Sequence, residues 1–429
     1  MSVDPPPQLD EAPLSPQQPP RGALRTIFLI VLCDLLGFSV IIPLLPFWAR
    51  KYHASDFEVG LLFSVYSICQ LVGSPILGLI SDRFGRRPVL IASQIGSVLG
   101  FILLGIATHG NWASPGLGLL LVYVSRVIDG LSGGNISTAQ AYISDVTTEE
   151  TRTKGMGMLG AAFGIGFTIG PAIGGVLGHF DPSWPAFAAA LCSAVACFQT
   201  WRFLQESRFH KESEEAEAWL HPSRFLPIIR NHPLLQMLLI FFFSMMAFVM
   251  MESTFAIYLN DKLSFDELHV GLLFALAGTM IAIVQGGLVG RLSRKVGEWP
   301  LVIVGPLFVT AAMLMLAQIN VHPLVWLVVV ATITNATGRS LQTPALSSLI
   351  SHTADRNLQG TTFGLFHMLG SLARVVGPII ATGVYTHHHA GPYLIAGSIT
   401  AAMAAWSIYL RAAAPTRGAD RAVSVATSG

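Results

Sequence analysis

The sequence predicts an all-α integral membrane protein with twelve transmembrane helices in two pseudo-symmetric six-helix bundles. The first observation is composition: 52% of the 429 residues are hydrophobic and 11% are charged, against about 25% charged in an ordinary soluble domain. The second is that the apolar residues fall into twelve long stretches. The third is that short segments of the first half of the chain recur in the second half.

The twelve stretches each have the length of a membrane-spanning helix, about 20 mainly apolar residues. One soluble core could not bury so many apolar side chains, since cores stop growing near about 250–300 residues. The predicted spans cover residues 25–48, 57–80, 88–107, 117–139, 155–178, 184–204, 233–259, 268–290, 299–318, 323–345, 360–384 and 391–411.

Lysine and arginine residues are distributed unequally between the two sides of the predicted membrane. Of 25 such residues, nineteen lie on the side of the termini, three on the other side and three within spans. Positive residues stay in the cytoplasm, so we expect both termini to be cytoplasmic in a plasma or inner membrane. Residues 1–22 and 412–429 are interpreted as cytoplasmic tails, and the proline-rich first tail is expected to be disordered.

Three landmarks of the first half return in the second at nearly constant offsets. They predict bundles at 23–204 and 233–411, joined by a polar cytoplasmic linker at 205–232. Matched halves of this kind indicate an alternating-access transporter with its substrate site at mid-membrane. The landmarks are VGLLF at 59–63 and 270–274, GLISDRFGRRP at 78–88 matching GRLSRKVGEWP at 290–300, and GFTIGPAIGG at 166–175 matching ARVVGPIIAT at 373–382.

Several classes of function are excluded by the same composition. A net charge of +1 gives no reason to expect nucleic acid as a partner. The four cysteines lie in apolar runs, which does not suggest a disulfide framework or a zinc site. Nor does the sequence contain a nucleotide-binding loop. We therefore expect a monomer that is not an enzyme, carries no cofactor or metal, and interacts with a small-molecule substrate, protons and the lipid bilayer.

Four motifs, in order, resemble those of a known family. Asp34 followed by PLLP at 43–46 resembles a first-span motif, and GLISDRFGRR at 78–87 is similar to the loop motif G-x-x-x-D-R-x-G-R-R. Residues 126–130 are similar to the fourth-span motif R-x-x-x-G, and residues 166–175 to the antiporter motif G-x-x-x-G-P-x-x-G-G. Together they resemble the major facilitator superfamily, and within it the twelve-helix drug–proton antiporters, including the tetracycline-efflux branch.

The resemblance implies a proton-driven exporter with the major facilitator fold. It does not imply tetracycline itself as the substrate. The tetracycline exporters carry an acidic residue in the third span, whereas residues 88–107 contain none, and the ninth span also lacks an acid.

The loop motif is interpreted as a cytoplasmic latch. We expect Asp82 to pair with the second half when the cytoplasmic side is shut, and Arg83 or Arg86 to pair with Asp145, while Gly85 permits a tight turn. A partly exposed ion pair is worth only about 0–1 kcal/mol, so the latch can open. Membrane anchoring by arginines is the alternative. The predicted latch residues are Gly78, Asp82, Arg83, Gly85, Arg86, Arg87 and Asp145.

The fifth span carries glycines at every fourth position, which predicts close packing of one helix face. The resemblance implies further that this face, bent by Pro171, seals the two halves against proton leak. Ordinary helix packing is the alternative. The residues concerned are Gly166, Gly170, Pro171, Gly174, Gly175 and Gly178.

Six acidic or arginine side chains fall in the interior of the predicted spans, away from the span ends. Each costs at least about 2.5–3.5 kcal/mol at mid-membrane unless it is paired or hydrated, so each is a functional candidate. At a rise of 1.5 Å per residue, Asp34 lies about 13 Å and Asp129 about 12 Å from the cytoplasmic face, and both could share one level with Arg126. The six are Asp34, Asp129, Glu252, Arg126, Arg339 and Arg374.

Asp34 is our preferred proton carrier, because burial and a nearby arginine act on a carboxyl in opposite directions and allow it to exchange protons near neutral pH. Arg126 is interpreted as the competing fixed charge. Asp129 either takes part in proton coupling or simply neutralises Arg126. Glu252, about 27 Å along its helix from the cytoplasmic face, is either a second titrating group or an interface residue.

The segment FFFSMMAFVMME at 241–252 supplies the candidate substrate cavity, because methionine gives an adaptable apolar surface. Lipid-facing packing is the alternative. The candidates are Met245, Met246, Met250 and Arg374. Arg339 and Arg374 are interpreted as structural partners or as lining of the cavity. We therefore predict proton-coupled efflux of a small amphipathic or hydrophobic compound such as a drug. The alternatives are a metabolite or sugar carrier of the same fold, and a receptor or scaffold that transports nothing.

Overall fold

The computed structural model describes residues 23–110, 112, 114–133, 135–147, 149–207, 226–355 and 358–413. The predicted tails and most of the predicted linker lie outside these residues. The first half of the chain forms α1 (Ala23–Ile41), α2 (Leu45–Lys51), α3 (Asp56–Phe84), α4 (Arg86–His109), α5 (Pro115–Ser132), α6 (Asn135–Asp145), α7 (Glu149–Phe180) and α8 (Trp184–Phe203).

The second half repeats this arrangement. It forms α9 (Leu226–Arg230), α10 (His232–Leu263), α11 (Glu267–Ile283), α12 (Gly290–Val296), α13 (Glu298–Gln318), α14 (Val325–Thr353), α15 (Gln359–Tyr385) and α16 (Gly391–Ala413). A π-helical turn, Val284–Val289, joins α11 to α12.

Eleven helices of the described chain are long and apolar enough to cross a membrane, and they match eleven of the predicted spans. The predicted span at 323–345 corresponds to α14, which is 29 residues long and packs against α13, α11 and α10. This helix is more polar than the other spans because it contains Thr332, Asn335 and Gln342. These three side chains are buried inside the bundle. The predicted all-α membrane fold is confirmed.

The backbone φ angles show the same two-fold repeat as the sequence. Within the described residues, positive φ angles occur at two pairs of positions: His53 and Ser264, at 59° and 55°, and Gly85 and Gly297, at 98° and 79°. The members of each pair are about 211 residues apart, which is the offset between the sequence landmarks. Positive φ is uncommon outside glycine, so the agreement shows that equivalent turns have the same geometry in both halves.

The halves meet along two helix pairs, α3 with α15 and α7 with α11. We call the end of the bundle that contains residues 83–87, 145 and 291–297 the basic end, and the end that contains residues 50–56, 179–183 and 261–269 the opposite end. Near the opposite end the contacts are close: Ser64 Oγ donates to the Val375 carbonyl at 2.8 Å.

Towards the basic end, four glycines have open space beside them. A Cβ built on Gly78 of α3, Gly164 of α7, Gly290 of α12 or Gly364 of α15 would have no neighbour within 4 Å. The close contact between the halves at Ser64 and Val375 lies away from these positions, towards the opposite end.

The outward faces of the helices are apolar. Large side chains with more than half of their surface exposed include Val72, Leu99, Leu191, Phe198 and Trp326. Surfaces of this extent are unusual on a soluble monomer, but they are what a hydrocarbon environment requires.

Candidate functional site

Asp34, on α1, is 9% exposed and faces α4 and α6. Gln94 and Asn135 donate side-chain hydrogen bonds to its Oδ2 at 3.1 Å and 2.9 Å. Its Oδ1 is buried and has no hydrogen-bond partner among the described residues. No described Arg, Lys or His lies within 4.0 Å of the carboxyl oxygens. The group is thus held by neutral amides and not by a cation.

Arg126 and Asp129 form a buried ion pair one turn apart on α5, at 3.3 Å and with exposures of 2% and 3%. The Arg126 guanidinium also lies 5.7 Å from the centre of the Phe101 ring. This is the geometry required if Asp129 neutralises Arg126. Arg126 Nε and Nη2 are buried without hydrogen-bond partners in the described chain.

Asp34 and Asp129 both approach α4, at different positions along it. Asp34 accepts a hydrogen bond from Gln94 of α4, whereas a Cβ on Gly100 of α4 would lie 3.2 Å from the Asp129 Cβ. Gln94 and Gly100 are about 9 Å apart along the helix. The charge of Asp129 acts on the Asp34 carboxyl, and the shared level of the two carboxyls stays a prediction.

Four polar residues of this region were not singled out from the sequence. Gln94 and Asn135 hold Asp34, and Gln70 donates to both the Tyr66 hydroxyl and the Gly133 carbonyl at 3.2 Å. Tyr66 lies where the charges of Asp129 and of the second half's Arg374 both act on it. A search of the spans for amide and phenol side chains, as well as for formal charges, would have found them.

In the second half, Glu252 lies on α10 and Arg339 on α14. The charges of Arg339 and Arg374 both act on the Glu252 carboxylate. The central carbon of the Arg339 guanidinium lies 3.4 Å from the centre of the Phe248 ring. Arg374 donates to the Ser371 hydroxyl at 3.1 Å.

A recess of about 60 Å³ opens between α10 and α14, and Met245 and Arg339 are among the residues that line it. Of the four substrate-cavity candidates Met245 alone lines it, and Arg339, predicted as a structural partner or as cavity lining, lines it as well. Met246 and Met250 are buried with Ala373 and Ala381 in the contact between α10 and α15, and Arg374 is not among the lining residues. At about 100° per residue, adjacent methionines on one helix cannot all face one cavity.

At the basic end, Arg86 connects the residues of the predicted latch. Its guanidinium pairs with Asp82 at 2.8 Å and with Asp145 at 3.1 Å, and it is nearly buried. Of the two arginines predicted to reach Asp145, Arg86 makes the contact and Arg83 is exposed. Arg87 donates to the Trp201 carbonyl.

Glu206, which follows α8 and was not predicted, caps the start of α4. Its carboxylate accepts from the backbone N–H groups of Arg86 at 2.8 Å and Arg87 at 3.1 Å. The first N–H groups of a helix lack intrahelical partners and favour negative charge. A Cβ on Gly85 would lie 2.5 Å from this carboxylate, so Gly85 is required both by its φ angle and by the space for the cap.

The glycine face of α7 differs from its predicted role. Cβ atoms on Gly166, Gly170 and Gly174 would meet Leu35, Ser39 and Val40 of α1, so these glycines pack within their own half. Contact with the other half is made by the adjacent face.

On that adjacent face, Gly175 and the Pro171 carbonyl both meet Gly271 of α11. A Cβ on Gly178 would lie 3.4 Å from both Leu44, which follows α1, and Glu267 of α11. The reason for the difference is that a four-residue spacing rotates about 40° per step around a helix, so the row of glycines turns from one neighbour to the next.

Ionic contacts join the halves at the opposite end, and none was predicted. Arg50 Nη2 donates to Asp56 at 2.9 Å and to Asp261 of the second half at 3.0 Å. His179 lies 3.3 Å from Asp266. Burial opposes the effect, but hydrogen bonds from His269 and His179 and the charge of His269 hold the pKa of Asp266 below its usual range.

No group of three or more His, Cys, Asp or Glu residues arranged to hold a metal ion occurs in the described part of the chain. The candidate site consists of buried carboxyls, an arginine and amides in the first half, and of Glu252, Arg339 and Arg374 in the second half. Groups of this kind can bind and release protons and polar ligands.

These features define a helical membrane transporter. The model of the Major Facilitator Superfamily matches residues 27–378, and the chain belongs to this superfamily. Tetracycline resistance protein, class B, of Escherichia coli is 30% identical over 373 residues, which cover 86% of this chain and 89% of that protein. Multidrug resistance protein 2 of Bacillus subtilis (strain 168) is 28% identical over 388 residues, which cover 87% of this chain and 92% of that protein.

Comparison with solved structures gives the same fold. The human organic anion transporter MFSD10 (TETRAN) superposes with a TM-score of 0.67 at 25% sequence identity, covering 91% of this chain and 100% of that chain. The resemblance to the tetracycline-efflux branch, predicted from four motifs, is thus confirmed.

Proposed function

We propose that the protein exports a small amphipathic compound from the cytoplasm in exchange for protons, by alternating access. The observation that carries this proposal is the environment of Asp34. A buried carboxylate without a cationic partner is costly, and a proton is the species that neutralises it. When the halves rock, such a group takes up a proton on one side and releases it on the other.

The free energy released by proton entry is sufficient to drive export. One proton that moves down a potential of 100 mV releases about 2.3 kcal/mol, which sustains roughly a fiftyfold gradient of a neutral substrate. The relatives named for tetracycline and multidrug resistance support export as the direction of transport.

We also propose that the basic end is cytoplasmic, in the inner or plasma membrane, with both termini on that side. The excess of positive residues there supports this orientation. The packing of the halves near the opposite end then corresponds to a state open to the cytoplasm. In this state Arg86 holds Asp82 and Asp145 within the first half. We propose that Asp82 contacts the second half when the basic end closes.

The test is a proteoliposome assay with a pH-sensitive dye trapped in acid-loaded vesicles. Ethidium, tetracycline and 2-naphthoate serve as cationic, zwitterionic and anionic probes. An antiporter releases protons when a transported probe is added outside, whereas a symporting metabolite carrier moves probe and proton together. A scaffold moves neither.

Asp34→Asn should abolish proton release while exchange of labelled for unlabelled probe continues, because the variant can still rock with probe bound. Asp355→Asn is the matched control, since Asp355 is exposed and the variant should couple normally. Proton release that persists in Asp34→Asn contradicts the assignment of the carrier.

A further inference from the structure

The buried charges are divided unequally between the two halves. The first half carries Asp34 and Asp129 against Arg126, whereas the second carries Glu252 against Arg339 and Arg374. When all are ionised, the first half has a surplus of one negative charge and the second a surplus of one positive charge. The group proposed to bind protons and the surplus of positive charge are thus on different halves.

Arg339 is the one charged residue that lines the recess between α10 and α14. At about 60 Å³ the recess exceeds the roughly 10–15 Å³ that one water molecule needs, but it is far smaller than the roughly 300–1,000 Å³ of a drug-sized pocket. It therefore suits a small polar head group and not a whole drug. Gln342 and Thr343 add polar lining, and Phe241 and Met245 add apolar lining.

The Arg339 guanidinium contacts an aromatic ring but has no hydrogen-bond partner among the described residues. Its central carbon lies 3.4 Å from the centre of the Phe248 ring, and in the described chain it has no carboxylate within 4.0 Å. A guanidinium has five N–H donors in a planar fork that matches a carboxylate or sulfonate. Stacking on an aromatic ring leaves these donors available at the ring edge.

We propose that the exported compound is an amphipathic organic anion whose carboxylate or sulfonate enters this recess and accepts hydrogen bonds from Arg339, with its apolar body against Phe241 and Met245. The proposal names the substrate class of the function proposed above and rests on it. In each cycle one anion leaves as one proton enters, so two charges cross the membrane per turnover instead of the single charge that a neutral substrate would require.

The first experiment measures binding to the purified protein in detergent, by titration calorimetry. The probes are matched pairs that share one aromatic body: 2-naphthoate with 2-naphthamide, and naphthalene-2-sulfonate with naphthalene-2-sulfonamide, with 2-naphthylmethylamine as the cation. We expect the anions to bind about 10- to 100-fold more tightly than their neutral partners, the range for a charge-assisted hydrogen bond.

Substitutions of Arg339 test whether this residue causes the preference for anions. Arg339→Gln should remove the anion preference and leave the weak binding of the amide unchanged, while Arg339→Lys should keep part of it, because lysine retains the charge without the fork. Arg294→Gln removes an exposed arginine from the same half and should keep the full preference. Arg339→Gln protein that is not monodisperse is set aside, and the comparison then rests on Arg339→Lys.

The proposal is overturned if no anion of the panel binds more tightly than its neutral partner, if the amine binds best, or if the preference survives Arg339→Gln. These measurements require no proton gradient. Anion binding without coupled transport would therefore refute export but not the site, whereas coupled transport of ethidium alone would refute the site but not export. Currents from proteoliposomes then count the charges: two per naphthoate are expected, and one would contradict the stoichiometry.

Discussion

Arg50 forms a two-point ion pair with Asp261, the residue that occupies the equivalent position in the other half of the repeat. The contacts are 2.5 Å and 3.0 Å, and the residues are 211 positions apart, the offset between the VGLLF landmarks. A residue can reach its own symmetry equivalent only close to the pseudo-two-fold axis. The pair therefore joins the two halves on the axis, where any rocking of one half against the other must part them.

Removal of either charge should favour the state in which the opposite end is open. The pair is about a quarter exposed, so we expect Asp261→Asn to shift the equilibrium by about 1 kcal/mol, roughly fivefold. The measurement is the distance between spin labels on Lys51→Cys and Lys262→Cys, in a background with the four native cysteines replaced by serine.

Exchange of the two charges provides the control for this prediction. Arg50→Asp with Asp261→Arg places the same pair on the axis in the reverse sense, so it should restore part of the short distance. Restoration should be incomplete because Asp56, which bonds to Arg50 in the native protein, would lie beside a second acid. A single variant that leaves the distance distribution unchanged would show that the pair does not hold this end closed.

The two seams between the halves are also equivalent. A Cβ on Gly271 would lie 2.6 Å from the Pro171 carbonyl oxygen, and a Cβ on Gly60 would lie 2.8 Å from that of Pro378. We expect Gly271→Ala to prevent full closure at the opposite end and to slow transport at least tenfold. Gly290→Ala is the control, because a Cβ there meets nothing within 4 Å. Equal rates for the two variants would contradict a tight seam.

The fold was predictable because it depends on local sequence: the length of the apolar stretches and the repeated motifs. The contact of Arg86 with Asp145 was predictable from the motif. The pairing of Arg50 with Asp261 was not, because neither residue belongs to the motifs used and the contact depends on how the halves are placed.

The role of the glycines in α7 shows a second limit. Four-residue spacing correctly predicts close packing, but it does not state which neighbour is packed against. Gly166 and Gly175 contact different helices because the rotation between them is fixed by helix geometry, whereas the identity of the neighbour is fixed by the tertiary arrangement. For the same reason, the sequence could not show that Met245 lines the recess while the adjacent Met246 packs in the contact between α10 and α15.

Loss of the Glu206 cap should destabilise the start of α4. Without Glu206 the N–H groups of Arg86 and Arg87 lose their acceptor, and Gly85 has no side chain to replace it. We therefore expect Glu206→Ala to lower the stability by about 2 kcal/mol, seen as a lower Tm of the purified protein. Glu206→Gln keeps an acceptor and should lose less. Gln205→Ala, at the neighbouring exposed position, should leave the Tm unchanged, and an equal loss in that variant would argue against a specific cap.

The contact of Asp266 with His179 and His269 predicts a pH dependence at the opposite end. The pKa of Asp266 is held below its usual range, so its carboxylate contributes stability that is fully present above its ordinary pKa of about 4. That contribution is lost as the pH falls through the lowered pKa, when the native carboxylate takes up a proton. Asp266→Asn keeps an acceptor for the His269 backbone N–H but cannot titrate. The difference in Tm between wild type and Asp266→Asn should therefore shrink as the pH is lowered below about 4. A difference that stays constant across this range would show that Asp266 acts only through its neutral hydrogen bond.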